Sequence, residues 1–114
     1  MTINELSAMV QEKAHIYVTE SGDEIEQFPE QVVDYVVEFA INESHFPLSF
    51  SDDKIATRLS RCVNTLAMMC VEVYSRMGAE GEKAHSENAI SRTFDGTWIS
   101  ARLIDALPNY VEVI

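Results

Sequence analysis

Between Ile55 and Met77 apolar side chains recur at steps of three and four: Ile55, Leu59, Cys62, Leu66, Met69, Val73 and Met77. That spacing is the period of an α-helix, not the period-two alternation of a strand. Val63, Cys70 and Tyr74 widen the stripe, and Ala67, Met68 and Val71 make its second half apolar nearly all round. Such a helix belongs at the centre of a fold or in a subunit interface. Ser51 is a good N-cap, Asp52 and Asp53 suit the first turn, and Gly78 is the expected stop. A chain of 114 residues is expected to form one domain, with its other elements packed on this helix.

Two further helices are legible upstream. Thr2-Ile3-Asn4-Glu5 has the form of a capping box, and Leu6, Met9, Val10, Ala14 and Tyr17 follow at helical spacing. A first helix is expected over about Ile3 to Val18, broken by Ser21-Gly22-Asp23. Phe28, Val32, Tyr35, Val36 and Phe39 carry a second, with Pro29 suited to a first helical position. Its valines would suit a strand equally. Glu30, Asp34 and Glu38, one acid every four residues, decide for a helix with one polar face. After Asn42 a loop is expected, because Pro47 bars continuation. Its apolar stretch Phe46-Pro-Leu-Ser-Phe50 has no evident place and reads either as a plug for the helical body or as a partner surface.

Downstream, Gly78 to Phe94 reads GAEGEKAHSENAISRTF, a polar stretch of two glycines and mixed charges. A polar loop of about 15 residues is uncommon in a small domain and is usually functional or disordered. Ile90 to Phe94 suits a short extended segment, and Asp95-Gly96 a turn. Trp98 to Leu107 then predicts a short helix ended by Pro108, and Tyr110-Val-Glu-Val-Ile114 an alternating apolar tail that pairs with its own body or a neighbour. The expected fold is therefore mainly α. It is a small bundle of three main helices and a short C-terminal helix, with an extended polar arm and an extended C-terminal tail. Residues 1–78 form the helical body and 79–114 the arm, short helix and tail, within one structural domain.

The formal net charge is −11, from 19 acids and 8 bases. Phosphate backbones are bound by clusters of Lys and Arg, and the sequence shows none, so nucleic acid and anionic membranes are disfavoured as partners. Between Lys13 and Lys54 there is no Lys or Arg, while Glu20, Asp23, Glu24, Glu26, Glu30, Asp34, Glu38, Glu43, Asp52 and Asp53 all fall there. Part of the surface should carry a strong negative potential. It is either a solubilising face or one that repels DNA or meets a basic partner. No signal peptide or membrane span is expected from the sequence.

Residues that could carry chemistry are sparse. His15, His45 and His85 are isolated, with no HxxxH, CxxC or HExxH spacing, so no metal or other cofactor is expected. His85-Ser86-Glu87 are adjacent, whereas a triad needs convergence in space. Cys62 and Cys70 lie about 12 Å apart along one expected helix, too far for a mutual disulfide. They read as inert, buried thiols in a reducing compartment. The methionines, three of them in the third helix, read as core filling. Arg92 is placed for a bidentate carboxylate pair within the chain or across an interface, against the plain alternative of an exposed arginine. Trp98 reads equally as a cap on a small core or as an interface anchor.

The order of these pieces resembles a known family. A long helix is followed by a Gly78-Ala-Glu-Gly-Glu82 turn, then by His85-Ser-Glu-Asn-Ala-Ile-Ser-Arg-Thr-Phe94, a short Leu/Ile helix, Pro108 and an alternating tail. This is similar to the small head–tail connector proteins of tailed bacteriophages, also called adaptors or head-completion proteins, closest to those of phages of Gram-positive bacteria. The resemblance is clearest over Leu66 to Ile114 and looser over Met1 to Phe50. It implies a structural virion protein and not an enzyme. Its partners would be the portal protein, neighbouring copies of itself in a ring, typically of twelve, and a downstream stopper or tail-completion protein. DNA would pass through the channel without specific binding. The location implied is the virion neck, with host cytoplasm during assembly. The contact residues implied are Glu80, Glu82, His85, Glu87, Arg92, Phe94, Trp98, Tyr110, Val111, Val113 and Ile114.

Two other readings compete. A small acidic helical regulator that binds a basic protein, as a DNA mimic, accounts for the acids from Glu20 to Asp53 and leaves Gly78 to Ile114 unexplained. An enzyme would need converging polar groups that the sequence does not display.

Overall fold

The computed structural model describes residues 1–23, 25–79 and 99–110. Among these the chain forms five helices and no strand: α1 (Ile3–Glu20), α2 (Glu30–Ser44), α3 (Asp52–Ser60), α4 (Val63–Ala79) and α5 (Ala101–Asp105). The protein is thus mainly α, as the periodicities predict. α4 lies at the centre, packing most extensively on α1, then on α2, and also on α5, while α3 packs on α1.

α1 starts where its chemistry allows. The Thr2 hydroxyl accepts the Glu5 N–H at 3.1 Å and the Glu5 carboxylate accepts the Thr2 N–H at 2.8 Å, completing the capping box. The Thr2 backbone N–H and then its hydroxyl hold the Glu5 carboxyl below the usual carboxylate range. The box is therefore fully formed above the ordinary glutamate pKa and weakens as pH falls through the lowered one. At the other end Asp23 N–H reaches the Val18 carbonyl and Gly22 N–H the Thr19 carbonyl, a Schellman motif. Gly22 sits at φ +107°, where a side chain would be strained. α1 thus runs two residues beyond the expected Val18.

In α2 Val32, Val33, Val36 and Val37 are all buried, while Glu30, Asp34 and Glu38 are exposed. The acid every fourth residue does mark the solvent face. Pro29 is the N-cap at φ −58° rather than the first helical residue. The helix passes Asn42 and ends at Ser44, with His45 left-handed at φ 53°.

The third expected helix is divided. Arg61 N–H bonds back to Arg58 and Cys62 N–H to Leu59, at 2.8 Å for the latter, so the chain tightens to three-residue spacing there. The Ser60 hydroxyl occupies the Thr57 carbonyl at 2.6 Å. α4 resumes with Leu66 N–H on the Cys62 carbonyl and ends at Ala79, one residue past Gly78. The apolar stripe keeps its phase across the break: Leu59, Leu66, Met69, Cys70 and Val73 share one core with Leu6, Val10, Ala14, Val18 and Phe28. Of the methionines, Met69 is buried, Met77 half-buried, and Met1, Met9 and Met68 exposed, so core filling holds for only some of them.

Both thiols are free. Cys70 is buried and Cys62 half-buried, and burial pushes both thiols up from their ordinary pKa, Cys70 far more. In the folded protein at pH 8 a thiol-specific disulfide reagent is therefore expected to titrate Cys62 slowly and to spare Cys70 until urea unfolds the chain. Two equally fast thiols would contradict this packing.

Candidate interaction surface

The C-terminal segment is fastened to the body at two places. The first is Glu72, the single acid between Asp53 and Glu80. Its half-buried carboxylate accepts the Ser100 backbone N–H at 2.8 Å and also takes the Ser100 hydroxyl. Ser100 is the N-cap of α5, and its own side chain caps nothing. A carboxylate from the central helix therefore satisfies one of the orphan backbone donors at that helix start, the Ser100 N–H, and takes the Ser100 hydroxyl as well. Ile99, Leu103 and Leu107 are buried behind it, and Ile104 is half-buried against the same core. The short amphipathic helix expected from Trp98 to Leu107 is thus present as Ala101–Asp105 with a further turn to Leu107.

The second fastening is Tyr110. Its N–H donates to the Ser44 carbonyl at 3.0 Å, at the end of α2. Its ring lies 5.1 Å from that of Phe46 and 5.5 Å from that of Phe50, edge-on in the second case. Phe46 and Phe50 are themselves 5.9 Å apart. The Phe46–Phe50 stretch, which has no evident place in the sequence, forms a three-ring cluster with Tyr110, a geometry aromatic rings prefer.

α3 adds cations to this cluster. The Lys54 ammonium stands 4.1 Å from the Phe50 ring centre and the Arg58 guanidinium 5.8 Å from it, within cation–π range. Arg61 follows one turn later, and Arg58, Arg61, Cys62, Leu107, Pro108 and Tyr110 line one open groove. Leu48, at the tip of the loop, is fully exposed.

Of the contact residues expected from sequence, Tyr110 is placed in this cluster. Glu80, Glu82, His85, Glu87, Arg92, Phe94, Trp98, Val111, Val113 and Ile114 lie outside the described residues, as do the expected Ile90–Phe94 extended segment and the Asp95-Gly96 turn. The described chain is held on both sides of residues 80–98, by α4 before them and by the Glu72–Ser100 contact after them.

Sequence reasoning singled out the Phe46–Phe50 loop without naming its cover, and it missed Glu72, Lys54 and Arg58. Two signals were available: a lone acid in an apolar helix, and the cations Lys54, Arg58 and Arg61 at steps of four and three. Among the described residues no group of three or more His, Cys, Asp or Glu could hold a metal ion, and no helix is long and apolar enough to cross a membrane. His15 instead bonds the Ile25 carbonyl through Nε2 at 2.9 Å, tying the α1–α2 loop to α1. No protein-family model, curated protein or solved structure matches the chain.

Proposed function

We propose that this chain is a head–tail connector subunit of a tailed bacteriophage, a structural part and not a catalyst. Copies assemble as a ring, of twelve by the family pattern, beneath the portal. The ring extends the DNA channel and offers a platform to a stopper or tail-completion protein. The subunit passes from the host cytoplasm to the virion neck.

The observation that carries this reading is the order of segments over Leu66 to Ile114. A central helix leads to the polar stretch GEKAHSENAISRTF, then to a docked short helix and an apolar tail. The described geometry is compatible with an assembly arm, since α4 and Glu72 fasten the chain on either side of residues 80–98 and Tyr110 fastens it ahead of the tail. A net charge of −11 suits a channel wall along which DNA must slide and not stick.

Arg92→Ala, and separately a chain shortened by residues 110–114, are expected to lower occupancy of the cognate portal ring. The helical body should keep its circular-dichroism spectrum in both. Unchanged occupancy in both variants would remove Arg92 and the tail from the contact. The exposed acids of α2 keep one other reading in view, an acidic module for a basic protein. That reading predicts a salt-sensitive complex with such a protein and no binding to portals.

A further inference from the structure

The charge imbalance of the sequence becomes two separate surfaces in the fold. On α2, Glu30, Asp34 and Glu38 stand exposed at successive turns, and Glu30 and Asp34 border a shallow polar groove shared with Asn4, Ser7 and Gln11 of α1. On α3 and its C-cap, Lys54, Arg58 and Arg61 follow at successive turns. They are half of the six Lys and Arg among the described residues, the others being Lys13, Arg76 and Arg102. Among the described residues none of the three α3-face cations is held in an ion pair, while two are positioned over the Phe50 ring. α2 and α3 each pack on α1, and no packing of similar extent joins them to each other. The two faces therefore do not neutralise one another within a subunit.

We propose that the cationic face of α3, Lys54–Arg58–Arg61, docks on the acidic face of α2 in a second copy of the chain, with the arginines meeting Asp34 and Glu38 and reaching toward the groove beside Glu30. This inference rests on the connector reading and names the subunit contact of its ring. The two faces are complementary in charge. One row of cations, with no ion pair among the described residues, and one row of acids have the same one-residue-per-turn spacing on different helices of one chain. Two different patches that fit each other make a head-to-tail contact, which closes into a ring when the rotation allows. Arginine is suited to the contact because its planar fork takes carboxylates in two-point fashion. Stacking on Phe50 fixes Lys54 and Arg58 before the partner arrives, which lowers the entropy lost on docking.

The test is charge exchange, read as copies bound per cognate portal ring against subunit concentration. Arg58→Glu with Arg61→Glu, and separately Asp34→Lys with Glu38→Lys, should each weaken assembly on the order of 100-fold or more, because like charges then face each other. Glu30 is left in place because it complements the α2 N-terminus. The chain carrying all four substitutions should assemble again to within about tenfold of the original, since the two faces have only traded signs. Arg61→Glu alone, at an exposed site, repeats the test if the double variant loses its helical spectrum. If the original chain assembles and every variant does too, the contact lies elsewhere; the proposal fails and the connector reading survives. Loss in both double variants without rescue in the fourfold one would show that the faces meet another protein, which also overturns it. An original chain that never gathers on portals would overturn both readings.

Discussion

Replacing Phe28 with alanine is expected to remove about 3–5 kcal/mol of unfolding free energy, the usual cost of truncating a buried phenylalanine. Phe28 sits in the loop before α2, yet its side chain is fully buried. Its ring lies 5.3 Å from that of Tyr74 on α4, and its carbonyl accepts the Gln11 side chain of α1 at 2.7 Å. One loop residue thus joins α1, the start of α2 and α4. Alanine would keep the carbonyl and its bond and would leave a cavity at the crossing. Against the roughly 5–15 kcal/mol that holds a domain of this kind together, the loss is large. In urea titrations the midpoint should drop with little change in slope. A drop worth less than about 1 kcal/mol would mean that the site collapses around the cavity or that the ring is not buried.

Glu72→Ala should have the second largest effect, and a local one. Burial of Ile99, Leu103 and Leu107 contributes about 1.5–3 kcal/mol each at most. Ordering the backbone of this segment opposes that gain, so docking leans on its polar fastening as well as on burial. Two hydrogen bonds to a carboxylate, worth about 1.5–3 kcal/mol each, then decide whether α5 stays docked. In Glu72→Ala the amides of Leu103, Ile104, Ala106 and Leu107, which bond back to residues 100–104, should lose hydrogen-exchange protection first. The amides of α1 and α2 should keep theirs. Glu72→Gln retains one acceptor and should fall between. Equal protection in all three proteins would show that apolar burial alone holds α5.

The parts of the fold legible in sequence are those fixed by local chemistry. Thr2 and Glu5 announce the start of α1, and the acids at 30, 34 and 38 mark the outer face of α2 against four β-branched neighbours. The division at Arg61 was hidden because the apolar stripe stays in phase through Leu59, Cys62 and Leu66, with neither glycine nor proline at the break. The ends of α1 and α2 shifted by about two residues, the usual uncertainty of fraying helix ends.

The candidate surface was harder to read because its contacts are distant in sequence. Tyr110 meets Ser44, Phe46 and Phe50, and Ser100 meets Glu72. Periodicity reports only which face of an element is apolar, not which distant residue will cover it. The Phe46–Phe50 loop was visibly apolar, but nothing local named Tyr110 as its cover. The cations of α3 were visible at regular steps, and only the fold shows two of them resting on Phe50 and the third beside the Leu107–Tyr110 groove.

The central claim is that this subunit builds a ring on a portal. Its most direct test is absolute mass by light scattering of the purified chain, alone and mixed with the cognate portal ring. A connector subunit should be a small species alone and, with the portal, give a complex heavier by one ring of subunits, reached at saturation and not exceeded. A chain whose mass ignores the portal, and which instead forms a salt-sensitive complex with a basic protein, would contradict it.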